Sequence, residues 1–176
     1  IRLHYAYPDN FTDEVIDLMA NEPKIVKYVD MPLQHGDDKV LKLMNRKIRS
    51  EQIYELVKKM RSRIPGLVLR TNIIVGHPGE TEEAYQNVKK MLQDLRLEHV
   101  GVFKYSLEED TPSFRLAEKI GQVDEEIIQR RYNELMEIQQ EISFSNNQKL
   151  VGQNIQVLVE GVSKESDLLL QGRWYG

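Results

Sequence analysis

The sequence predicts an α/β fold in which parallel strands alternate with helices, followed by a small β-module. Three observations predict it. Between residues 2 and 105, four segments of strand character alternate with helical stretches, and strict alternation implies parallel strands with right-handed crossovers. The run Gly76-His77-Pro78-Gly79-Glu80 turns the strongest strand directly into a helix. The last third changes character, with one long helix and then two strand-like runs in hairpin order. Two architectures fit the first part: a piece of a βα barrel, or an open doubly wound sheet.

The elements follow in order. Leu3 and Tyr5 alternate with Arg2 and His4, a strand pattern that Pro8 ends. A domain that opens inside a strand is expected to continue a longer chain. Thr12 caps a helix with Asp13 and Glu14 in its first turn, where the helix dipole favours them, and Val15, Ile16, Leu18 and Met19 as its buried stripe. Ile25 to Leu33 reads as a second strand, stopped by Gln34-His35-Gly36. Asp37 or Asp38 starts a short helix through Met44; Ser50 caps another, with Ile53, Leu56, Val57 and Met60 on one face. Pro65-Gly66 breaks it.

Leu67 to Val75 is the strongest strand. Thr81 caps a helix to about Leu95, with Ala84, Val88, Met91, Leu92 and Leu95 as its face, and His99 to Tyr105 is the fourth strand. Asp124 to about Lys149 is a long helix with Ile127, Ile128, Leu135, Ile138 and Ile142 as its seam. Ile155 to Glu160 and Leu168 to Tyr175 form the hairpin. The expected division is therefore a βα part with its trailing helix, 1–149, and the opening of a β-module, 150–176.

Composition narrows the functions. With 40% hydrophobic and 30% charged residues the chain has a globular profile. No apolar run approaches the roughly 20 residues a spanning helix needs, so no membrane partner and a cytoplasmic location are expected. A net charge of −4 makes wrapping of nucleic acid a poor fit and a basic partner an easier one. The basic stretches Lys42 to Arg49 and Lys58 to Arg63 read as solvated helix faces. There is no cysteine, so these residues can offer no disulfide, thiolate nucleophile or thiolate-held cluster.

The strongest strand carries the most chemistry. Leu69, Thr71, Ile73 and Val75 point one way, suited to packing under helices; Val68, Arg70, Asn72, Ile74 and Gly76 point the other. An arginine on a half-buried face needs an anion or several acceptors: a carboxylate clamp and an internal salt bridge are equally open. The Gly76–Thr81 turn places glycines and free helix N–H groups where a ligand's backbone approach is easy, but it lacks the lysine of a phosphate loop. His4, His35, His77 and His99 could meet Asp30, Glu80 or Glu108 as metal ligands, yet no local ligand pair exists, and capping or hydrogen-bonding roles are expected instead. Glu108-Glu109-Asp110 is an acidic loop, either solvated or a dock for a basic segment.

Several segments together resemble one family. They are Arg2-Leu3-His4-Tyr5-Ala6-Tyr7-Pro8, Pro32-Leu33-Gln34-His35 with Val40-Leu41-Lys42-Leu43-Met44-Asn45-Arg46, Ile73-Ile74-Val75-Gly76-His77-Pro78-Gly79-Glu80-Thr81, and Phe103-Lys104-Tyr105-Ser106-Leu107-Glu108-Glu109-Asp110-Thr111. In order and spacing they are similar to the radical-SAM methylthiotransferases. Gln34-His35, Arg70 and the Glu108-Glu109 loop resemble the branch that modifies an aspartate of small-subunit ribosomal protein twelve, rather than the tRNA-modifying branch. Asp110 departs from the family by standing where its loop has glycine.

The resemblance implies a partial TIM-like radical-SAM barrel of about four βα units, then the start of a TRAM module. It implies S-adenosyl-L-methionine (SAM) and two 4Fe-4S clusters, held by cysteines that would precede Ile1, with no metal bound by this stretch and no catalysis by it alone. Gln34, Arg70, Ile74, Gly76, Tyr105 and Ser106 are the expected SAM-side residues: Arg70 for its carboxylate, Tyr105 and Ser106 for the adenine edge. His35, Glu108 and Glu109 are the expected substrate-side residues. Ribosomal protein twelve and an electron donor are the expected partners, tRNA less so. The alternatives are a tRNA-modifying methylthiotransferase, or a stand-alone α/β binding module or metal hydrolase.

Overall fold

The computed structural model describes residues 1–176. Its centre is a three-stranded parallel sheet in the order β1-β2-β3, formed by β1 (Tyr28–Asp30), β2 (Val68–Val75) and β3 (His99–Lys104). Parallel neighbours need crossovers. Here α2 (Asp38–Leu43) and α3 (Ser50–Arg63) join β1 to β2, and α4 (Glu82–Leu95) joins β2 to β3. The remaining helices are α1 (Asp13–Asn21), α5 (Pro112–Ile120) and α6 (Glu125–Gln148), and β4 (Leu158–Val162) pairs antiparallel with β5 (Leu170–Arg173).

The alternation in β2 sorts the molecule into two sides. Leu69, Ile73 and Val75 are buried with Thr71, whose hydroxyl donates to Met31 O at 2.8 Å and accepts from Leu33 N at 3.0 Å. That side meets the core, where Val57 and Met60 of α3, Tyr85, Val88, Met91 and Leu92 of α4, and Leu135 of α6 pack together. Arg70, Asn72 and Ile74 are half-buried on the opposite, uncovered face.

Local chemistry fixes the helix starts. The Thr12 and Thr81 hydroxyls accept Val15 N and Ala84 N, and the Asp37 carboxylate accepts Lys39 N and Val40 N. Ser50 does not cap α3 as expected: it is the first helical residue, its N–H donates to Asp38 Oδ1 at 2.7 Å, and Gln52 Oε1 accepts Arg49 N. Leu18 is 57% exposed rather than buried, because Ile16 and Met19 define the inner face of α1.

The expected four βα units reduce to three paired strands. The segment near residue 3 runs beside β1 but makes only a single bridge, Leu3 to Val29. Tyr5 takes φ 54°, a left-handed conformation that no continuing strand allows. The expected strand 25–33 contracts likewise to β1. Helix α5 was not anticipated, although Thr111-Pro112 is a cap followed by proline at the first helical position. In α6 the buried line is Ile128, Arg131, Leu135, Gln139 and Ile142, so two polar residues occupy the seam and Ile127 faces outward.

The β4–β5 hairpin lies outside this core, with every strand residue exposed and a bulge at Glu160 between Val159 and Gly161. The chain then returns: the Tyr175 hydroxyl donates to Gly66 O at 3.0 Å, and Arg2 donates to Tyr175 O.

Candidate functional site

In a parallel α/β sheet, ligands gather at the C-terminal strand ends. Here those ends carry the loop Pro32–His35, the turn Gly76–Thr81 and the segment from Tyr105 onward. The first two are tied to β2 and to each other. Gln34 adopts φ 73°, its N–H donates to Asn72 O at 2.9 Å, and its carbonyl accepts Ile74 N at 2.8 Å. The left-handed turn at Gln34 sends His35 inward.

His35 meets Glu80 in the interior, and both side chains are 0% exposed. Asp37 N–H donates to His35 Nδ1 at 3.0 Å. The proton of the neutral ring therefore sits on Nε2, which donates to Glu80 Oε2 at 3.3 Å. The same oxygen accepts Gly76 N–H at 3.0 Å, while Glu80 Oε1 accepts Arg131 Nη1 at 2.6 Å. Arg131 is 4% exposed and also pairs with Glu82 at 3.0 Å. Glu80 thus joins the Gln34 loop, the Gly76 turn and α6, and three donors offset its desolvation. The expectation of a substrate-facing His35 is corrected by this geometry: the ring is sealed inside and serves the framework.

Gly76 is required by packing. It sits at φ 85°, and a Cβ there would lie 2.5 Å from Ile128 Cδ1. Next to it, His77 Nδ1 donates to Pro78 O and Nε2 accepts the Ser113 hydroxyl, both at 2.9 Å. Its ring also meets Tyr105 edge-on at 5.1 Å. Burial, outweighing the neighbouring Glu80, holds the His77 pKa below the usual histidine value. Tyr105 N donates to Val75 O at 2.8 Å, extending β3 one residue along β2. Ser106, Glu108 and Glu109 are exposed on the following loop, where the Ser106 hydroxyl donates to Glu108 Oε1 at 3.0 Å. Asp110 takes φ 62°, so the residue standing in place of glycine adopts the left-handed conformation that aspartate tolerates.

The uncovered face is the second part of the site. Parallel register sets Arg70 beside His99, Asn72 beside Gly101 and Ile74 beside Phe103. Arg70 Nη1 donates to Asp30 Oδ2 at 2.6 Å. Asp30 Oδ1 and Asn72 Oδ1 are buried and accept no hydrogen bond from the chain. Gly101 leaves room beside Asn72, since a Cβ would approach Asn72 Oδ1 to 3.2 Å. Of the expected SAM-side residues, Gln34, Ile74, Gly76 and Tyr105 share one end of the sheet. Arg70 lies six residues before Gly76, and Ser106 points into the exposed loop. Arg131 and Ser113 went unassigned in the sequence, and Glu80 was weighed only as a metal ligand, because their roles depend on distant partners.

The sequence profile of the Radical SAM superfamily matches residues 1–92. This chain belongs to the radical SAM superfamily. The match agrees with its parallel sheet, and two solved structures share the fold. Coproporphyrinogen III oxidase (HemN) from Escherichia coli superposes with a TM-score of 0.56 at 19% identity, over 88% of this chain and 32% of that one. The archaeal Elp3 of Methanocaldococcus infernus gives 0.53 at 19% identity, over 66% and 27%. The fold is thus a partial TIM-like βα barrel, and the uncovered sheet face corresponds to the inside of the barrel wall.

Among curated proteins, the chain is 50% identical over 176 residues to the ribosomal protein uS12 methylthiotransferase RimO of Myxococcus xanthus, covering 100% of this chain and 36% of that protein. It is 48% identical to the RimO of Bdellovibrio bacteriovorus, covering 100% and 38%. The chain thus spans little more than a third of the length of these relatives.

Radical SAM proteins work with SAM and a 4Fe-4S cluster. The residues present fit the first: the uncovered face offers unpartnered acceptors on Asp30 and Asn72, apolar surface on Ile74 and the polar side chain of Gln34. They do not fit the second, because this chain has no cysteine to supply thiolate.

Proposed function

We propose that this chain forms the SAM-facing wall of a radical-SAM methylthiotransferase that places a methylthio group on the β-carbon of an aspartate in small-subunit ribosomal protein twelve. One observation carries the reading: about half of the residues are identical to ribosomal protein uS12 methylthiotransferases along the whole chain.

SAM, when bound, would supply the hydrogen-abstracting chemistry at the substrate carbon. This chain's residues bind and orient. Ile74 offers apolar surface to the adenine side. Gln34 presents its amide where the left-handed turn raises it from β2, and Tyr105, steadied by His77, borders the same end with Ser106. The exposed Glu108 and Glu109 attract a basic ribosomal protein. Residues 1–149 form the barrel part and 150–176 open a TRAM module that docks substrate. An electron donor and cytoplasmic work at the ribosome belong to the same reading, and the chain alone, without cluster thiolates, does not turn over SAM.

Disruption of the gene tests this. The reading expects ribosomal protein twelve from the disrupted strain to lose the mass of one methylthio substituent, with tRNA nucleosides unchanged. Loss of a methylthiolated tRNA nucleoside, or no loss in either, overturns it.

A further inference from the structure

We propose that Lys42, Arg46, Lys47 and Arg49 bind the phosphate backbone of an RNA strand, on the rim beside the opening that admits the ribosomal protein. The choice of RNA rests on the proposed function, because a ribosomal protein within its particle is flanked by RNA.

Two basic stretches stand in the sequence, and the fold treats them differently. In the second, on α3, Lys59 pairs with Asp13 at 3.0 Å, Arg61 with Glu98 at 2.9 Å, and Arg63 with Asp13 and Asp17. The chain itself neutralises those cations. In the first, Lys39 alone has a carboxylate in reach, Glu83 at 4.0 Å. Lys42, Arg46, Lys47 and Arg49 enter no ion pair. Four uncompensated cations between residues 42 and 49 are a local excess in a chain of net charge −4.

Local structure gathers them. Lys39 and Lys42 are three residues apart on α2 and share one face. Asn45 then takes φ 57°, and Arg46 N–H donates to Leu41 O at 2.8 Å, which folds the chain back at the helix end. Ile48 is buried beneath, while Lys42, Lys47 and Arg49 are exposed. The four cations line an open groove of about 430 Å³ in which Asp38 is the one carboxylate, and Asp38 Oδ1 already accepts Ser50 N–H at 2.7 Å. The Arg46 guanidinium lies over the Tyr7 ring, 5.1 Å from its centroid, so it is held in place before an anion arrives. Ile48 is the only apolar lining, too little for the apolar centre of a protein interface. Phosphate contact needs cations alone.

Helix stability does not explain the cluster. Lys42 lies in the last turn of α2, where the dipole favours a cation. Lys47 and Arg49 lie just before α3, where the dipole opposes one, and arginine is a poor N-cap residue. Both stand against the local field, and a bound anion offsets that cost.

The cluster borders the strand-end opening. Ala6 N–H donates to Asp30 O at 2.9 Å at the end of β1, and Tyr7 continues from it. A Cβ on Gly79 would lie 2.8 Å from Leu43 Cδ1, so α2 touches the Gly76–Thr81 turn. The cations follow β1, while the acidic Glu108 and Glu109 follow β3, across β2. A basic protein and the RNA beside it carry opposite charges, and the rim presents the complementary pair.

The test uses the intact protein with its clusters. Fluorescence anisotropy of a labelled single-stranded RNA, read from about 0.05 to 0.2 M salt, gives the affinity and its salt slope. Each phosphate contact on a single strand contributes about 0.7 to that slope. The variant combining Lys42→Gln, Arg46→Gln, Lys47→Gln and Arg49→Gln is expected to bind on the order of 100-fold more weakly near 0.1 M salt, with a slope flatter by about 3. Exchanging lysine for arginine and arginine for lysine at the four positions is expected to keep the wild-type slope. Lys47→Glu alone is expected to flatten it by about 1, and serves if the fourfold variant does not fold. A wild type that binds no RNA, or a slope unchanged in these variants, overturns the inference. So does polyglutamate of equal charge that displaces the RNA as well as unlabelled RNA does, which assigns the patch to an acidic protein. Methylthiolation of a peptide carrying the target aspartate is read alongside, and is expected to be unchanged in the fourfold variant. A wild type that leaves the peptide unmodified overturns the proposed function, while the salt slope still decides the RNA contact.

Discussion

At the scale of single residues, the buried Glu80 carboxylate decides how the strand-end loops sit. It holds Gly76 N–H and His35 on one oxygen and Arg131 on the other. Removing one member of a buried pair leaves the other charge uncompensated. Arg131→Ala is therefore expected to cost about 3–5 kcal/mol of stability, read as a lower urea midpoint with an unchanged slope. A loss below about 1 kcal/mol, the scale of surface pairs, would contradict the buried hub.

His77 gives a signed pH dependence. Its folded-state pKa lies below the ordinary 6.5, chiefly through burial. Between those two values the unfolded chain binds a proton that the folded chain does not, so stability is complete above about 6.5 and falls as pH drops toward the folded value. His77→Gln, which keeps a polar group near Ser113, should flatten that slope in unfolding titrations just below 6.5. His99, also lowered by burial, accounts for the remaining slope. A slope unchanged in the variant would contradict the assignment. Neither histidine's full environment is readable in sequence, because Ser113 reaches His77, and Arg70 and Arg2 reach His99, only through the fold.

At the scale of elements, periodicity was most informative where one side is buried. The alternation in β2 placed Arg70, Asn72 and Ile74 opposite Leu69, Thr71, Ile73 and Val75, and the burial agrees. Pattern failed where a single backbone conformation intervenes, as at Tyr5, or where polar residues take core places. Arg131 and Gln139 in α6 look like surface residues, yet Arg131 meets Glu80 and Gln139 Nε2 donates to Leu97 O and Glu98 O at 3.2 Å. Both face carboxyl or carbonyl oxygens that only the folded chain brings near. Within that seam, Leu135 is fully buried. Leu135→Ala is expected to cost about 2–5 kcal/mol through lost burial and the remaining cavity, measured by chemical denaturation; near-zero loss would mean α6 is not docked on the sheet. Gly76→Ala tests the same contact from the other side. The added Cβ meets Ile128 in a left-handed residue, and a further Ile128→Ala change should relieve the clash but not the backbone strain. An equally stable Gly76→Ala variant would contradict both.

At the scale of the whole molecule, a partial βα barrel exposes one sheet face, and half-buried Arg70 and Asn72 stand on it. The strand ends gather Gln34, Ile74 and Tyr105, and the deeper face holds Arg70 on Asp30. The family was legible because several short segments keep their order over the chain; no single one would identify it. The framework roles of His35 and Glu80 were not legible, since they arise from a contact between residues 45 positions apart. The most direct measurement is a structure of the intact protein with its iron–sulfur cluster and SAM, determined without oxygen. The account predicts SAM against Ile74, with Gln34 and Tyr105 at its edge. SAM bound away from this face would contradict it.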